Sequence, residues 1–172
     1  MAFEAKATYD FAANDVTGRV WLGGITQKTE GVTYDGNYTS NGVDVGAKLA
    51  YQGFGLVGYY YDGKGLDGQL VLGGLFNATG LKTDDNGGYV QGTFVVPGIG
   101  TKLGASWGTS KSKYDIAKIE NDSWIIGAYH PLTKSLNLVA EYTNQEIKAN
   151  VNGVGNAKLE SDTVSLGAIL FF

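Results

Sequence analysis

From Val164 to Phe172 the chain alternates. Val164, Leu166, Ala168, Leu170 and Phe172 share one side, and Thr163, Ser165 and Gly167 the other, before Ile169 and Phe171 break the pattern. Successive side chains of a β-strand point to opposite faces, so this pattern predicts a strand with one apolar face. The same period recurs upstream. Leu136, Leu138, Ala140 and Tyr142 alternate with Ser135, Asn137, Val139, Glu141 and Thr143. Thr101, Leu103, Ala105 and Trp107 alternate with Lys102, Gly104, Ser106 and Gly108, and Val43, Val45, Ala47, Leu49 and Tyr51 with Asp44, Gly46, Lys48, Ala50 and Gln52. At the start, Phe3, Ala5, Ala7, Tyr9 and Phe11 alternate with Glu4, Lys6, Thr8 and Asp10. Less regular runs cover Val16–Glu30, Phe54–Asp62, Tyr89–Val96 and Ser123–Tyr129. Helical spacing competes nowhere. The chain reads as all-β, with nine antiparallel strands, or ten if Leu66–Phe76 is a strand of its own.

The connections have two predicted sizes. Short ones fall at Ala12–Asp15, Gln52–Gly53, Pro97–Gly100 and His130–Lys134. Long ones, rich in Gly, Asn and Asp, fall at Gly31–Gly42, Asn77–Gly88, Lys111–Asp122 and Gln145–Leu159. In the nine-strand reading short and long connections alternate strictly. A soluble sandwich has no reason to do this, whereas an outer-membrane barrel has tight turns on one side and longer loops on the other.

Composition narrows the functions. The chain of 172 residues has no Cys, one His (His130) and 13 Lys+Arg against 17 Asp+Glu, a net charge of −4. Without Cys there is no disulfide framework, zinc knuckle or thiolate nucleophile. One His cannot build a multi-histidine metal centre, and no basic excess points to nucleic acid. No run of about 18 apolar residues predicts a membrane-spanning helix. A mean hydropathy of −0.10 does not argue for a soluble protein, because alternation hides the apolar face of a membrane barrel. Glycine, at 27 residues, is more than twice its ordinary share of about 7%. The first residues, Met-Ala-Phe-Glu-Ala-Lys, lack the apolar core of a signal peptide.

Alternation alone does not separate a soluble sheet from a membrane one. The polar side is more informative. It carries Glu4, Lys6, Asp10, Arg19, Asp44, Lys48, Lys102 and Glu141 among Ser, Thr, Asn and Gly, a composition suited to a water-filled lumen. The apolar side ends in aromatics (Phe3, Tyr9, Phe11, Tyr51, Phe54, Trp107, Trp124, Tyr142 and Phe172), as interfacial girdles do. A charge on the lipid side would cost about 2–4 kcal/mol at the midplane, and none of the clean strands places one there.

Several segments carry a family resemblance. Tyr51-Gln-Gly-Phe-Gly-Leu-Val-Gly-Tyr-Tyr-Tyr61, Gly88-Tyr-Val-Gln-Gly-Thr93, Gly127-Ala-Tyr-His-Pro-Leu-Thr-Lys-Ser135 and the closing Ser165-Leu-Gly-Ala-Ile-Leu-Phe-Phe172 resemble Gram-negative general porins. The resemblance implies a 16-stranded transmembrane meander barrel that assembles as a trimer in the bacterial outer membrane. It implies that residues 1–172 are one barrel segment, the C-terminal half of a longer chain, and that Phe172 resembles the signal read by the outer-membrane assembly machinery. Strand parity agrees, because nine strands do not return both ends of a barrel to one side. The constriction loop of that family has no counterpart here.

The implied function is passive diffusion of small hydrophilic solutes and ions, with membrane lipids as surroundings, no cofactor, no nucleic acid and no catalysis. The eight charged lumen residues are its candidate pore lining. Lys6, Arg19, Lys48 and Lys102 form a candidate basic strip facing Glu4, Asp10, Asp44 and Glu141, since charged rings tune ion selectivity. Other motifs weigh less. Gly53-Phe-Gly55-Leu-Val-Gly58 fits a phosphate-loop pattern with no helix after it, so a tight turn is the simpler reading. His130 reads as a turn residue before Pro131, and Asp84-Asp85-Asn86 and Asn121-Asp122 as solvated turns more than as cation ligands. Two alternatives remain: a small closed barrel of 8–10 strands with a structural or adhesive role, and a soluble lipocalin-like binding protein with Leu103, Leu136, Leu166 and Leu170 in its core.

Overall fold

The computed structural model describes residues 1–29, 38–66, 82–115 and 117–171. Glu30, residues 67–76 of the Leu66–Phe76 segment, Asn77 and Phe172 lie outside the described residues.

Nine strands follow one another: β1 (Ala2–Ala13), β2 (Val16–Thr29), β3 (Tyr38–Tyr51), β4 (Phe54–Lys64), β5 (Asp84–Val95), β6 (Lys102–Lys113), β7 (Ala117–Pro131), β8 (Leu136–Val151) and β9 (Gly155–Leu170). They form one antiparallel meander in chain order. β1 and β9 are its edges. Among the described residues β9 pairs with β8 alone, so the closure of a small barrel through β1 is not formed.

Residues directly opposite one another in an antiparallel pair lie on the same face. The register therefore carries one face across all nine strands. One row runs Phe11, Gly18, Leu49, Leu56, Gly92, Ala105, Ile126, Tyr142, Val164. The neighbouring row, on the other face, runs Asp10, Arg19, Lys48, Val57, Gln91, Ser106, Ile125, Thr143, Thr163. The clean alternation of the sequence is thus a property of the whole sheet.

The sheet curls toward its polar face. Along β4, Gly55, Val57, Tyr59 and Tyr61 are half-buried while Phe54, Leu56 and Tyr60 are exposed. On the polar side Trp21 of β2 reaches Tyr59 of β4, two strands away, with ring centroids 6.4 Å apart. The apolar face is convex and open: Leu166 is 81% exposed, Val164 72%, Phe3 64% and Leu22 61%. Tyr114 is the one buried hydrophobic residue among those described. Among the described residues no apolar core lies on the inside, and the lipocalin-like arrangement of Leu103, Leu136, Leu166 and Leu170 is overturned. Leu103, Leu166 and Leu170 are exposed on the outer face, and Leu136 shares that face opposite Leu170. Each Å² of such surface costs about 25 cal/mol in water. Hydrocarbon is the medium in which this face is stable.

The turns at one end fit their sequences. Gln52 and Gly53 both have positive φ (44° and 85°), the two-residue hairpin geometry that matches strand twist. This turn absorbs the first glycine of the phosphate-loop pattern. At the other end two predicted long loops are corrected. Most of Lys111–Asp122 and Gln145–Leu159 is strand: β6 runs to Lys113, β7 begins at Ala117, and β8 and β9 are joined at Asn152–Val154. The short–long alternation of connections is therefore not strict. These strand ends escape the reading because their alternation is reversed, with charges on the outer face and Ile119, Ile147 and Leu159 on the inner one.

Candidate functional site

The concave face carries all eight charged residues singled out in the sequence. Glu4, Lys6 and Asp10 stand on β1, Arg19 on β2, Asp44 and Lys48 on β3, Lys102 on β6 and Glu141 on β8, and the register puts each opposite to the apolar stripe. β2 stays regular through Gly18-Arg-Val-Trp21, so Arg19 and Trp21 share this face.

Six of the eight cluster on β1–β3, and they interleave. Arg19 donates from Nε and Nη2 to the Asp10 carboxylate at 2.6 and 2.9 Å, a two-pronged pair fixed by their direct opposition in the register. Lys48 lies directly opposite Arg19 on the other side, two cations side by side. Lys102 and Glu141 stand apart on β6 and β8, and Glu141 accepts a hydrogen bond from Tyr129 Oη. A basic strip opposed to an acidic strip is not what the register builds: acid and base alternate along one wall.

Between two charged rows runs an aromatic one. Thr8, Trp21, Gly46, Tyr59 and Tyr89 are successive partners across β1–β5. Tyr59 sits 5.6 Å from Tyr89 and 6.2 Å from Tyr61, centroid to centroid. Lys6 Nζ lies 5.5 Å from the centroid of Trp21, within cation–π range. Gly46 makes room for the indole: Cζ2, Cε2 and Cη2 of Trp21 all crowd the point where a Cβ of Gly46 would stand, so the ring lies flat across the glycine. Next to this row is a recess of about 220 Å³ lined by Glu4, Asp44, Tyr59, Tyr61, Leu66 and Asp85, among others. Asp85 is held by Ser112 Oγ (2.6 Å) and the Leu66 amide (2.9 Å). The sequence carried a signal for this row, the shared parity of Trp21 with Arg19 and of Tyr59 with Tyr61, but β2 and β4 alternate too poorly to show it.

The convex face has its own zoning. Trp107, Trp124 and Tyr142 form an aromatic belt, with Trp124 and Tyr142 centroids 5.1 Å apart. Beyond it, toward the Asn152–Val154 turn, the same face becomes ionic. Lys111 and Lys118 bind Glu120 at 2.8 and 3.1 Å, Lys158 binds Glu146 and Glu160 at 2.6 Å each, and Lys148 pairs with Glu146. Lys148 and Lys158 hold the Glu146 carboxyl down to about 2, well below its ordinary range. A ladder of this kind needs water, so the belt marks the upper limit of the apolar band. On β3 the same face is apolar from Val43 to Tyr51, eight steps or about 27 Å along the strand, which at the usual barrel tilt is about 20 Å of height.

The remaining candidates fall outside this wall. His130 ends β7 on the apolar face beside the Leu132–Ser135 turn, its Nδ1 2.9 Å from Thr101 Oγ1. Asp84 pairs with Lys64 at 3.1 Å, and no group of three His, Asp or Glu among the described residues is placed to hold a metal ion.

An open nine-stranded meander, apolar and exposed on its convex side and charged on its concave side, has close structural counterparts. The chain superimposes on OmpT, an outer membrane protein of Vibrio cholerae, folded in vitro, with TM-score 0.66 and 16% identity over 99% of this chain and 56% of that one. The fold is that of a bacterial outer-membrane β-barrel. OmpT expressed in the outer membrane gives TM-score 0.63 at 14% identity, covering 99% and 56% of the two chains. A trimer form gives 0.59 at 15%, covering 97% and 54%. The chain spans about half the length of these solved structures. No family model and no curated protein matches it.

Proposed function

We propose that this sheet is part of the wall of a water-filled channel in the bacterial outer membrane, through which small hydrophilic solutes and ions diffuse passively. One observation carries the reading. All eight charged residues lie on the concave face, while the convex face between its aromatic ends is apolar and exposed. A barrel closed around a packed interior has no use for Arg19 beside Lys48, whereas a solvated lumen tolerates both.

The open edges of β1 and β9 support a larger barrel. Unpaired strand edges are not stable in hydrocarbon, because each unsatisfied backbone group costs several kcal/mol. Further strands pairing with β1 and β9 remove that cost, and residues 1–172 are then one segment of a longer wall, the C-terminal half in the porin reading. Association as a homotrimer, insertion by the outer-membrane assembly machinery through Phe172, and the absence of a catalytic role belong to the same proposal. No cofactor enters it.

Planar-bilayer recording of the intact pore tests it. The expected result is ohmic conductance that scales with salt. A protein that inserts into the bilayer and stays electrically silent overturns the proposal.

A further inference from the structure

We infer that Trp21, Tyr59 and Tyr89 form a binding track for sugar rings on the channel wall, an inference that rests on the channel reading above. In a lumen designed only for water and ions, aromatic rings on the wet face are a cost. Here three of them occupy one register row from β2 to β5, three strand spacings or about 14 Å long. Trp21 lies flat across Gly46, and Tyr59 is tilted only 24° from it. Tyr89 continues the series at 36° from Tyr59 and is 43% exposed. The ring centroids are 5.6–6.4 Å apart, Trp21 lying between the backbone of Gly46 and the Lys6 ammonium, Tyr59 half-buried beside it and Tyr89 open to the lumen. Gly46 and Gly108 on the same row keep it clear of competing side chains.

The rows on either side define the ligand. About 7 Å away toward the loops stand Lys6, Asp44, Tyr61 and Ser110, and the same distance toward the turns stand Asp10, Arg19, Lys48 and Gln91. A flat apolar strip between two hydrogen-bonding rows matches a pyranose, which offers one C–H face and a rim of hydroxyls. Charge argues against an organic cation: both signs are present in each row, and the Lys6 ammonium already lies over Trp21. The 220 Å³ recess beside Tyr59 and Tyr61 gives the track an end site.

Trp21 is its own reporter. Residues 1–172 hold three tryptophans, and Trp107 and Trp124 lie on the lipid side, so a W107F/W124F protein, with any tryptophan elsewhere in the longer chain also replaced by Phe, isolates Trp21. That protein, purified from outer membranes in detergent, is titrated with maltotriose and, separately, with a polyethylene glycol of matched size and with choline. Saturable change of Trp21 fluorescence with maltotriose alone is the expected result. Tyr59→Ala should weaken the apparent affinity at least fivefold, with Tyr59→Phe close to the parent. No response to maltotriose, an equal response to the polymer, or a response confined to choline each overturns the inference. Tyr89→Ala, farther from the indole, provides a second variant should Tyr59→Ala fail to fold. Because the readout needs no conductance, failure of the track leaves the bilayer test of the channel untouched.

Discussion

Arg19 and Asp10 face each other across the β1–β2 pair and are joined by two hydrogen bonds of 2.6 and 2.9 Å on the concave wall. The pair neutralises one cation of a cluster whose next member, Lys48, sits directly opposite Arg19. Removing either partner therefore exposes a charge of known sign.

If the proposed channel is right, Arg19→Ala should shift it toward cations and Asp10→Asn toward anions, each changing the permeability ratio roughly twofold at low salt. Reversal potentials in a salt gradient measure this. The two effects should shrink together as ionic strength shortens the screening length, and effects of one sign for both variants would show that the pair does not face the conducting path.

Leu56 and Val57 are neighbours on β4 that point to opposite faces. Leu56→Arg puts a charge into the apolar band and should destabilise the barrel by about 2–4 kcal/mol, whereas Val57→Arg joins the row of Lys48 and Gln91 and should cost far less. Denaturant unfolding in lipid vesicles compares them directly.

The ionic ladder beyond the belt predicts a pH response. Lys148 and Lys158 hold the Glu146 carboxyl at about 2, below its ordinary 4.5. A depressed carboxylate contributes stability that is full above its unfolded value and lost as pH falls through its folded one. The β8–β9 end should resist pepsin at pH 4.5 and become cleavable at the Asn152–Val154 turn as pH approaches 2. Glu146→Gln leaves Lys148 and Lys158 without their shared carboxylate and should be cut already at pH 4.5.

Gly46 carries the flat indole of Trp21. Gly46→Val should lift the ring, changing the fluorescence of a W107F/W124F background without moving the register of β3. Unchanged Trp21 emission would show that the ring does not rest on this glycine.

The sheet was legible where lipid lies on one side and water on the other. Val43–Tyr51 and Val164–Leu170 announce their faces because their two environments differ. Beyond the belt, Glu146-Ile-Lys148 and Lys158-Leu-Glu160 reverse the alternation, with charges outside and Ile147 opposite Leu159 inside, so the apolar stripe breaks off there and the segments look like loops until their ion pairs are seen. The candidate charges were legible by parity alone, and all eight share one face. Their interleaving was not, because it depends on which residue of β1 meets which of β2, a register that the turn at Asn14–Asp15 sets. The aromatic row hid for a related reason: Trp21, Tyr59 and Tyr89 are apolar residues on the polar side, and they blur the alternation of the strands that carry them.

The central claim is that the convex face touches lipid and the concave face water. Residues 1–172 hold no cysteine, so, with any cysteine elsewhere in the longer protein replaced by serine, single cysteines can be placed one at a time from Phe54 to Tyr61. Each is probed with a membrane-impermeant thiol reagent and, after spin labelling, with lipid-soluble oxygen. The account predicts strict alternation, with positions 54, 56, 58 and 60 seen by oxygen and 55, 57, 59 and 61 by the aqueous reagent. Uniform accessibility, or the opposite parity, would contradict it.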